Sequence, residues 1–286
     1  MRVIRADVLG FCAGVRRAVN LAASAAEKRD KRLFMIGPLI HNGRALRELE
    51  ELGFSTLDEA ELPETLSNSI AVIRAHGTGP RTREELSRRG AEIVDATCPK
   101  VRESQIKACE LYKKGVQLFI AGEKKHGEVR GIRMFAPNSV VVENKDDVLE
   151  AAKTLLAKET PLKTAVIGQT TISETEYQSI CTELKRFFPD LAVYNTTCAA
   201  TKARQHALAE LCAKADALII AGERASSNAR RLLAVAEKHG KPAWIVRAAS
   251  EIPDNLTGFD TIGLSAGTST PDALINEIER EISIRR

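Results

Sequence analysis

The sequence predicts an α/β protein in which one unit of parallel strands and helices occurs three times. Apolar runs typical of strands alternate with apolar residues at helical spacing, and three cysteines each stand between such a run and such a helix. The segment that follows each cysteine repeats at matching distances. Because ligands of parallel sheets bind beyond the carboxyl ends of the strands, functional residues are expected there.

Composition is that of an ordinary globular protein. The chain has 286 residues, enough for one to two domains, with 44% hydrophobic residues and a net charge of +4. This charge and the 4% of aromatic residues do not favour nucleic acid as a partner. No apolar run reaches the ~18 residues of a membrane span, and the N-terminus does not resemble a signal peptide. We expect a cytoplasmic protein with no nucleic-acid or membrane partner.

The six cysteines divide into two groups. In a reducing compartment they are expected to be thiols rather than three disulfides. Cys12, Cys98 and Cys198 follow strand-like runs and open helix-like ones. The remaining three lie in apolar helical stripes, where core packing is expected: Cys109, Cys181 and Cys212.

Each cysteine of the first group is followed by the same series of elements. An apolar run ends in glycine 25, 24 and 24 residues later, and a polar residue stands four positions beyond. These pairs are Gly37 with His41, Gly122 with His126, and Gly222 with Ser226. A further apolar run ends in polar clusters at residues 76–77, 169–171 and 265–270. The predicted units are residues 13–97, 98–196 and 197–286, with residues 1–12 contributing a strand near the centre.

Three units about a pseudo-threefold axis would bring their equivalent cysteines together. A helix N-terminus stabilises a thiolate, and three thiolates could hold zinc or an iron–sulfur cluster. Zinc sites more often use paired C-x-x-C spacing, which the chain lacks. Clusters usually have four cysteine ligands, so that three would leave one iron open to a substrate.

The polar residues at the strand ends predict an anion site. Serine, asparagine and backbone N–H groups at helix N-termini bind phosphate, and the sequence has neither a Walker A motif nor G-x-G-x-x-G. Glu128 is the candidate proton donor, since burial beside a cluster would raise its pKa. The alternative for Glu128 is an ordinary solvated charged loop. The candidate anion ligands are His41, His76, His126, Ser226, Ser227, Asn228 and Ser269.

The motifs occur in a fixed order: GFCAGV at 10–15, GPLIHN at 37–42, AHG at 75–77, DATCP at 95–99, QTT at 169–171, TCAAT at 197–201, SSN at 226–228 and AGTSTPD at 266–272. As an ordered set through essentially the whole chain, they resemble the 4-hydroxy-3-methylbut-2-enyl diphosphate reductases. That family catalyses the last step of the non-mevalonate isoprenoid pathway. The resemblance implies a trefoil of three α/β units around a [4Fe–4S] cluster held by Cys12, Cys98 and Cys198.

The resemblance also implies the reaction and the remaining roles. The substrate hydroxyl would bind the open iron and leave as water, giving isopentenyl and dimethylallyl diphosphate. Reduced ferredoxin or flavodoxin would be the electron donor. His126 would contact the substrate, Glu128 would donate the proton and Thr170 would orient the proton path. The diphosphate would be held by His41, His76, Ser226, Ser227, Asn228 and Ser269.

Two departures and two alternatives accompany this interpretation. The family usually has proline where this chain has Gly127, which would cost about 0.4–1 kcal/mol of preorganisation if the loop must be ordered. Residues 222–225 also differ from the sequence that is more common in the family.

The alternatives are an iron–sulfur sensor or electron-transfer protein without turnover, and a structural zinc protein. An electron carrier needs neither Glu128 nor Thr170.

Overall fold

The computed structural model describes residues 1–28, 30–157 and 163–285. The strands are β1 Arg2–Arg5, β2 Arg32–Ile36, β3 Phe54–Leu57, β4 Ser69–Ile73, β5 Glu92–Asp95, β6 Gln117–Ala121, β7 Val140–Val142, β8 Thr164–Gly168, β9 Ala192–Tyr194, β10 Ala217–Ala221, β11 Ala243–Val246 and β12 Thr261–Ala266. The helices are α1 Ala13–Ala26, α2 Gly43–Glu51, α3 Pro80–Arg88, α4 Pro99–Lys113, α5 Gly127–Arg133, α6 Lys145–Leu156, α7 Glu174–Phe187, α8 Ala199–Cys212, α9 Ser227–Lys238 and α10 Asp272–Ile284.

The strands form three parallel sheets of four strands each. The first has the order β3-β2-β4-β5, the second β7-β6-β8-β9 and the third β11-β10-β12-β1. The three orders are equivalent, and in each sheet the strand that leads to a cysteine lies at one edge. The prediction of three α/β units with parallel sheets is therefore confirmed. Because β1 pairs with β12, residues 2–5 complete the third sheet.

Helices cover both faces of the sheets, which explains the continuous apolar runs. In β6, Phe119 packs in the same buried cluster as Leu184 of α7. The neighbouring Leu118 points the other way and packs in the cluster that contains Val129 of α5. A strand buried on both sides needs apolar residues at every position rather than at every second one.

The chain divides into two compact units. One consists of Met1–Arg16, Ile40–Leu52 and Ala199–Arg286, and includes the third sheet. The other consists of Arg17–Leu39 and Gly53–Cys198, and includes the first and second sheets. The boundaries 13–97, 98–196 and 197–286 stay predictions.

Three helices begin at the residue that follows a cysteine of the first group. These helices are α1 after Cys12, α4 after Cys98 and α8 after Cys198. Pro99 occupies the first position of α4, where its missing N–H costs no hydrogen bond. Within the described residues, no helix combines the length and apolarity needed to cross a membrane.

Candidate active site

Cys12, Cys98 and Cys198 occupy equivalent local positions in the three sheets. Each lies between an edge strand and a helix, and each is partly exposed. The backbone N–H of each donates to a carbonyl oxygen two residues beyond the end of the neighbouring strand. The acceptors are Thr268 for Cys12 (3.1 Å), Ala75 for Cys98 (2.9 Å) and Thr170 for Cys198 (2.8 Å). One hydrogen bond thus repeats three times and aligns each cysteine with a strand end.

The helix N-termini give these thiols a positive environment. The Sγ atom of Cys12 accepts a hydrogen bond from the N–H of Val15 at 3.4 Å, in the first turn of α1. The pKa of Lys100 is raised, first by its hydrogen bond with Glu103 and further by the charges of Cys198 and Cys98. Both cysteines therefore lie within electrostatic reach of one ammonium group. The thiolate is the form of cysteine that binds metal.

Two of the cysteines are preceded by the same turn. The Asp95 carboxylate accepts hydrogen bonds from the backbone N–H (3.0 Å) and the hydroxyl of Thr97, just before Cys98. The Asn195 amide oxygen accepts the same pair from Thr197, at 3.1 and 2.6 Å, just before Cys198. An aspartate or asparagine that accepts from the residue two positions on forms an Asx turn. This turn ends the edge strand and directs the chain into the helix.

The loop before Cys12 is held by a different interaction. Gly10 has φ +73°, a left-handed conformation that favours glycine, and a Cβ atom there would lie 2.9 Å from the side chain of Ile275. The Gly10 carbonyl accepts a hydrogen bond of 2.7 Å from the guanidinium of Arg204, a side chain that is only 3% exposed. A buried cation thus replaces the Asx turn in this repeat.

Asp95 also forms two ion pairs. Its carboxylate forms ion pairs with Arg83 and Arg102. Burial alone would raise the pKa of Asp95, but the hydrogen bonds from Thr97 and the two guanidinium groups outweigh it and lower the pKa. A lowered pKa adds stability that is present above the ordinary carboxyl value near 3.9 and is lost as the pH falls through the lowered value.

We expect Asp95→Asn and Asp95→Ala to separate the contribution of the turn to stability from the contribution of the charge. Asparagine can still accept from Thr97, as Asn195 does in the next repeat, so Asp95→Asn should cost only about 1 kcal/mol of unfolding free energy at pH 7. Asp95→Ala removes the turn as well and should cost about 2–3 kcal/mol. Urea unfolding between pH 7 and pH 3 checks this, and the difference between wild type and Asp95→Asn should shrink below about pH 4. Equal stabilities of the two variants would show that the turn contributes nothing.

Glu128 and Thr170 form a buried pair. The Glu128 side chain is 1% exposed and Thr170 is 6% exposed. The backbone N–H of Thr170 donates to Oε1 of Glu128 at 2.6 Å, and the Thr170 hydroxyl bonds Oε2 at 2.7 Å. Because the Thr170 carbonyl also accepts from the N–H of Cys198, one residue links the carboxyl group to the cysteine loop. The charged-loop alternative does not describe a carboxyl group held in this way.

His126 and His76 lie beside this pair. His126 caps α5, with Nδ1 accepting from the N–H of Glu128 at 3.2 Å, so its proton is on Nε2 when the ring is neutral. The His76 ring packs edge-on against the His126 ring, with centroids 5.0 Å apart. A Cβ atom at Gly127 would lie 3.3 Å from Nδ1 of His76. The glycine therefore allows His76 to lie close to the start of α5.

The start of α9 gathers the serine and asparagine candidates. Ser226 caps the helix, and its Oγ accepts from the N–H of Ala229 at 3.4 Å. Ser227 and Asn228 form the first turn, each 2% exposed. Neither the amide oxygen nor the amide nitrogen of Asn228 has a hydrogen-bond partner among the described residues. Buried polar groups are normally satisfied, so this amide is a candidate ligand-binding group.

His41 and Ser269 lie in the same compact unit as α9. The Ser269 hydroxyl donates to the carbonyl of His41 at 2.8 Å, which joins the two candidate residues. His126 and Ser226 are helix caps, but Asn42 rather than His41 caps α2. Equal offsets from glycine therefore do not give His41 an equivalent position.

The other cysteines differ from one another. Cys181 and Cys212 are buried in apolar clusters as predicted, and burial raises the pKa of both thiols. The prediction for Cys109 is wrong in part, because this residue is only half-buried. The stripe assigned to it faces outward, with Ile106 53% and Tyr112 43% exposed. The buried face of α4 instead carries Val101, Ser104, Gln105, Ala108 and Leu111.

Sequence reasoning missed three residues that shape the cysteine loops. Asp95 and Asn195 could have been found from the repeated pattern [DN]-x-T-C, which occurs at 95–98 and again at 195–198. Arg204 gives no local signal, because its contact with Gly10 joins residues 194 positions apart.

Known proteins match this chain over nearly its whole length. The sequence model of the family described as LytB protein matches residues 3–283. A 4-hydroxy-3-methylbut-2-enyl diphosphate reductase of Treponema denticola is 39% identical and covers 99% of both chains. The enzyme of the same name from Caldanaerobacter subterraneus is 36% identical over 99% of this chain and 96% of its own length.

Solved structures agree with the sequence matches. The E-1-hydroxy-2-methyl-but-2-enyl-4-diphosphate reductase of Plasmodium falciparum has a TM-score of 0.87 at 26% identity, covering 98% of this chain and 87% of its own. A structure of (E)-4-hydroxy-3-methyl-but-2-enyl diphosphate reductase, described as the terminal enzyme of the non-mevalonate pathway, has a TM-score of 0.71 at 31% identity over 99% of both chains. The fold, the ordered motifs and these matches agree, and the chain belongs to the LytB protein family.

Proposed function

We propose that this chain reductively removes the hydroxyl group of (E)-4-hydroxy-3-methylbut-2-enyl diphosphate, giving isopentenyl and dimethylallyl diphosphate. The relatives are named for this substrate, and one solved structure is described as the terminal enzyme of the non-mevalonate pathway. The observation that carries the proposal is the buried Glu128–Thr170 pair and its hydrogen-bonded link to the Cys198 loop. A sensor or electron carrier has no use for a buried acid at this position.

Cys12, Cys98 and Cys198 are the proposed ligands of a [4Fe–4S] cluster. Their fit is supported by three equivalent, partly exposed thiols at helix N-termini, each held by the same backbone hydrogen bond. A bound cluster with three cysteine ligands supplies electrons and one open iron for the substrate hydroxyl. The outward-facing stripe of Cys109 and the buried positions of Cys181 and Cys212 support their exclusion from the ligand set.

The diphosphate is proposed to bind at the start of α9. Ser226, Ser227 and Asn228 bring hydroxyl, amide and backbone donors to the positive end of the helix. The unsatisfied Asn228 amide supports this assignment. His41, His76 and Ser269 are the further proposed diphosphate ligands, and Nε2–H of His126 is the proposed donor to the substrate.

Glu128 is the proposed acid, and its two contacts with Thr170 support a proton on one of its oxygens. Oε1 faces the Thr170 N–H, which can only donate, so Oε1 must act as an acceptor. Oε2 faces the Thr170 hydroxyl, which can donate or accept, so Oε2 can carry the proton. Thr170 thus orients the acid and leaves Oε2 as its proton-bearing atom.

The reaction balances with external electrons. The bond between carbon and the hydroxyl oxygen breaks, a carbon–hydrogen bond forms, and two electrons and two protons are consumed as water leaves. Reduced ferredoxin or flavodoxin is the proposed donor, and the cytoplasm is the proposed compartment.

An anaerobic turnover assay tests the proposal. Cluster-loaded protein is mixed with a reduced one-electron dye, and the substrate is added. We expect two dye molecules to be reoxidised for each substrate consumed, and none when inorganic pyrophosphate replaces the substrate. A dye that stays reduced while the iron content remains intact would favour the sensor interpretation.

A further inference from the structure

Arg231 brings a guanidinium group to the start of α9. Nη1 of Arg231 donates a hydrogen bond to Oγ of Ser227, four residues earlier in the same helix. The N-terminus of a helix carries about half a positive charge and favours anions. The first turn of α9 contains no acidic residue. The unsatisfied Asn228 amide in that turn independently points to a ligand.

The bond from Arg231 determines what the Ser227 hydroxyl can do. A serine hydroxyl has one hydrogen to donate and two lone pairs that accept. Because Oγ accepts from Arg231, its own hydrogen points away from the guanidinium. The positive charge also polarises the hydroxyl, which strengthens its bond to an anion. Ser227 is 2% exposed, so bulk water contributes little to its orientation.

The neighbouring arginine acts differently. Nη1 of Arg230 donates to the carbonyls of Arg224 and Ala225 at 3.1 and 2.8 Å, and so holds the loop before the helix cap. Arg231 bonds Ser227, a candidate ligand of the diphosphate.

We propose that Arg231 is a positioning residue of the diphosphate site, which directs the Ser227 hydroxyl toward the phosphate oxygens and balances their charge. This inference rests on the proposed function and adds a cation to a site that otherwise consists of serine, asparagine and histidine. It predicts that Arg231 affects binding of the diphosphate group and leaves the chemical step nearly unchanged.

The test measures binding of inorganic pyrophosphate to the cluster-loaded protein by calorimetry. Arg231→Ala should weaken binding by about tenfold, Arg231→Lys should recover part of the loss, and Lys238→Ala at the far end of α9 should change the Kd less than twofold. In a Ser227→Ala background, Arg231→Ala should have little further effect, because the two residues act as one unit. In turnover, Arg231→Ala should raise KM about tenfold and change kcat less than twofold.

The outcomes separate the two proposals. Wild-type protein that fails to bind pyrophosphate would overturn both the diphosphate site and the role of Arg231. Wild-type binding that persists unchanged in Arg231→Ala would overturn only the role of Arg231. An equal loss of pyrophosphate affinity from Arg231→Ala in the wild-type and Ser227→Ala backgrounds would show that the arginine does not act through the serine. A changed visible spectrum of the cluster in Arg231→Ala would indicate a structural role and contradict the proposal.

Discussion

Glu128→Gln is expected to lower kcat by about 10²–10⁴-fold, the usual contribution of a positioned proton donor. Glutamine can keep both local hydrogen bonds, since its amide oxygen can accept from the Thr170 N–H and its amide nitrogen can donate to the Thr170 hydroxyl. The substitution removes the transferable proton. The iron content and the Kd for pyrophosphate should therefore stay within about twofold of wild type.

The matched control for this substitution is Glu150→Gln. Glu150 is exposed on α6, so Glu150→Gln makes the same side-chain exchange without touching the Thr170 pair. Its turnover should equal that of the wild type in the dye assay. Near-normal kcat in Glu128→Gln would remove Glu128 from proton donation and leave it a purely structural role.

Cys12→Ser, Cys98→Ser and Cys198→Ser are each expected to lose most of the bound iron and all measurable turnover. Serine is nearly isosteric with cysteine, but its hydroxyl stays protonated at neutral pH and is a poor ligand for cluster iron. All three cysteines are partly exposed, so the exchange disturbs little of the core. Iron content and visible absorption of anaerobically prepared protein measure the effect.

Two of the helices that follow a proposed ligand contain a second cysteine, which serves as a control. Cys109 lies in α4, the helix that begins after Cys98, and Cys212 lies in α8, the helix that begins after Cys198. Both control variants should keep iron and turnover. Full iron content and activity in Cys98→Ser would contradict the ligand assignment.

Much of the fold was predictable because its signals are local. Strands buried on both faces must be apolar throughout, and this made β6 and β10 visible in the sequence. The helices α4 and α8 begin directly after their cysteines. Pro99 predicts the start of α4, and an apolar stripe after Cys198 predicts α8. The assignment of residues 1–12 to the strand before Cys12 is consistent with the pairing of β1 with β12.

Helix faces were less predictable than helix positions. The stripe of Ile106, Cys109 and Tyr112 has helical spacing yet faces outward, while the buried face of the same helix includes the polar residues Ser104 and Gln105. Apolar spacing alone does not distinguish a core stripe from an exposed one when the neighbouring surface is partly polar. His41 and His126 each stand four residues after a glycine, but the cap of α2 is Asn42. Equal spacing in the sequence therefore does not give the two histidines equivalent positions.

The sequence by itself determined the candidate residues of this protein, because three cysteines recur between a strand and a helix and the segments that follow them repeat at matching distances. Only the tertiary structure decided how those residues are held. Thr170 meets Glu128 across 42 positions, and Arg204 meets Gly10 across 194. Hydrogen bonds between such distant residues leave no periodic trace in the sequence, because they depend on packed sheets bringing separate loops together.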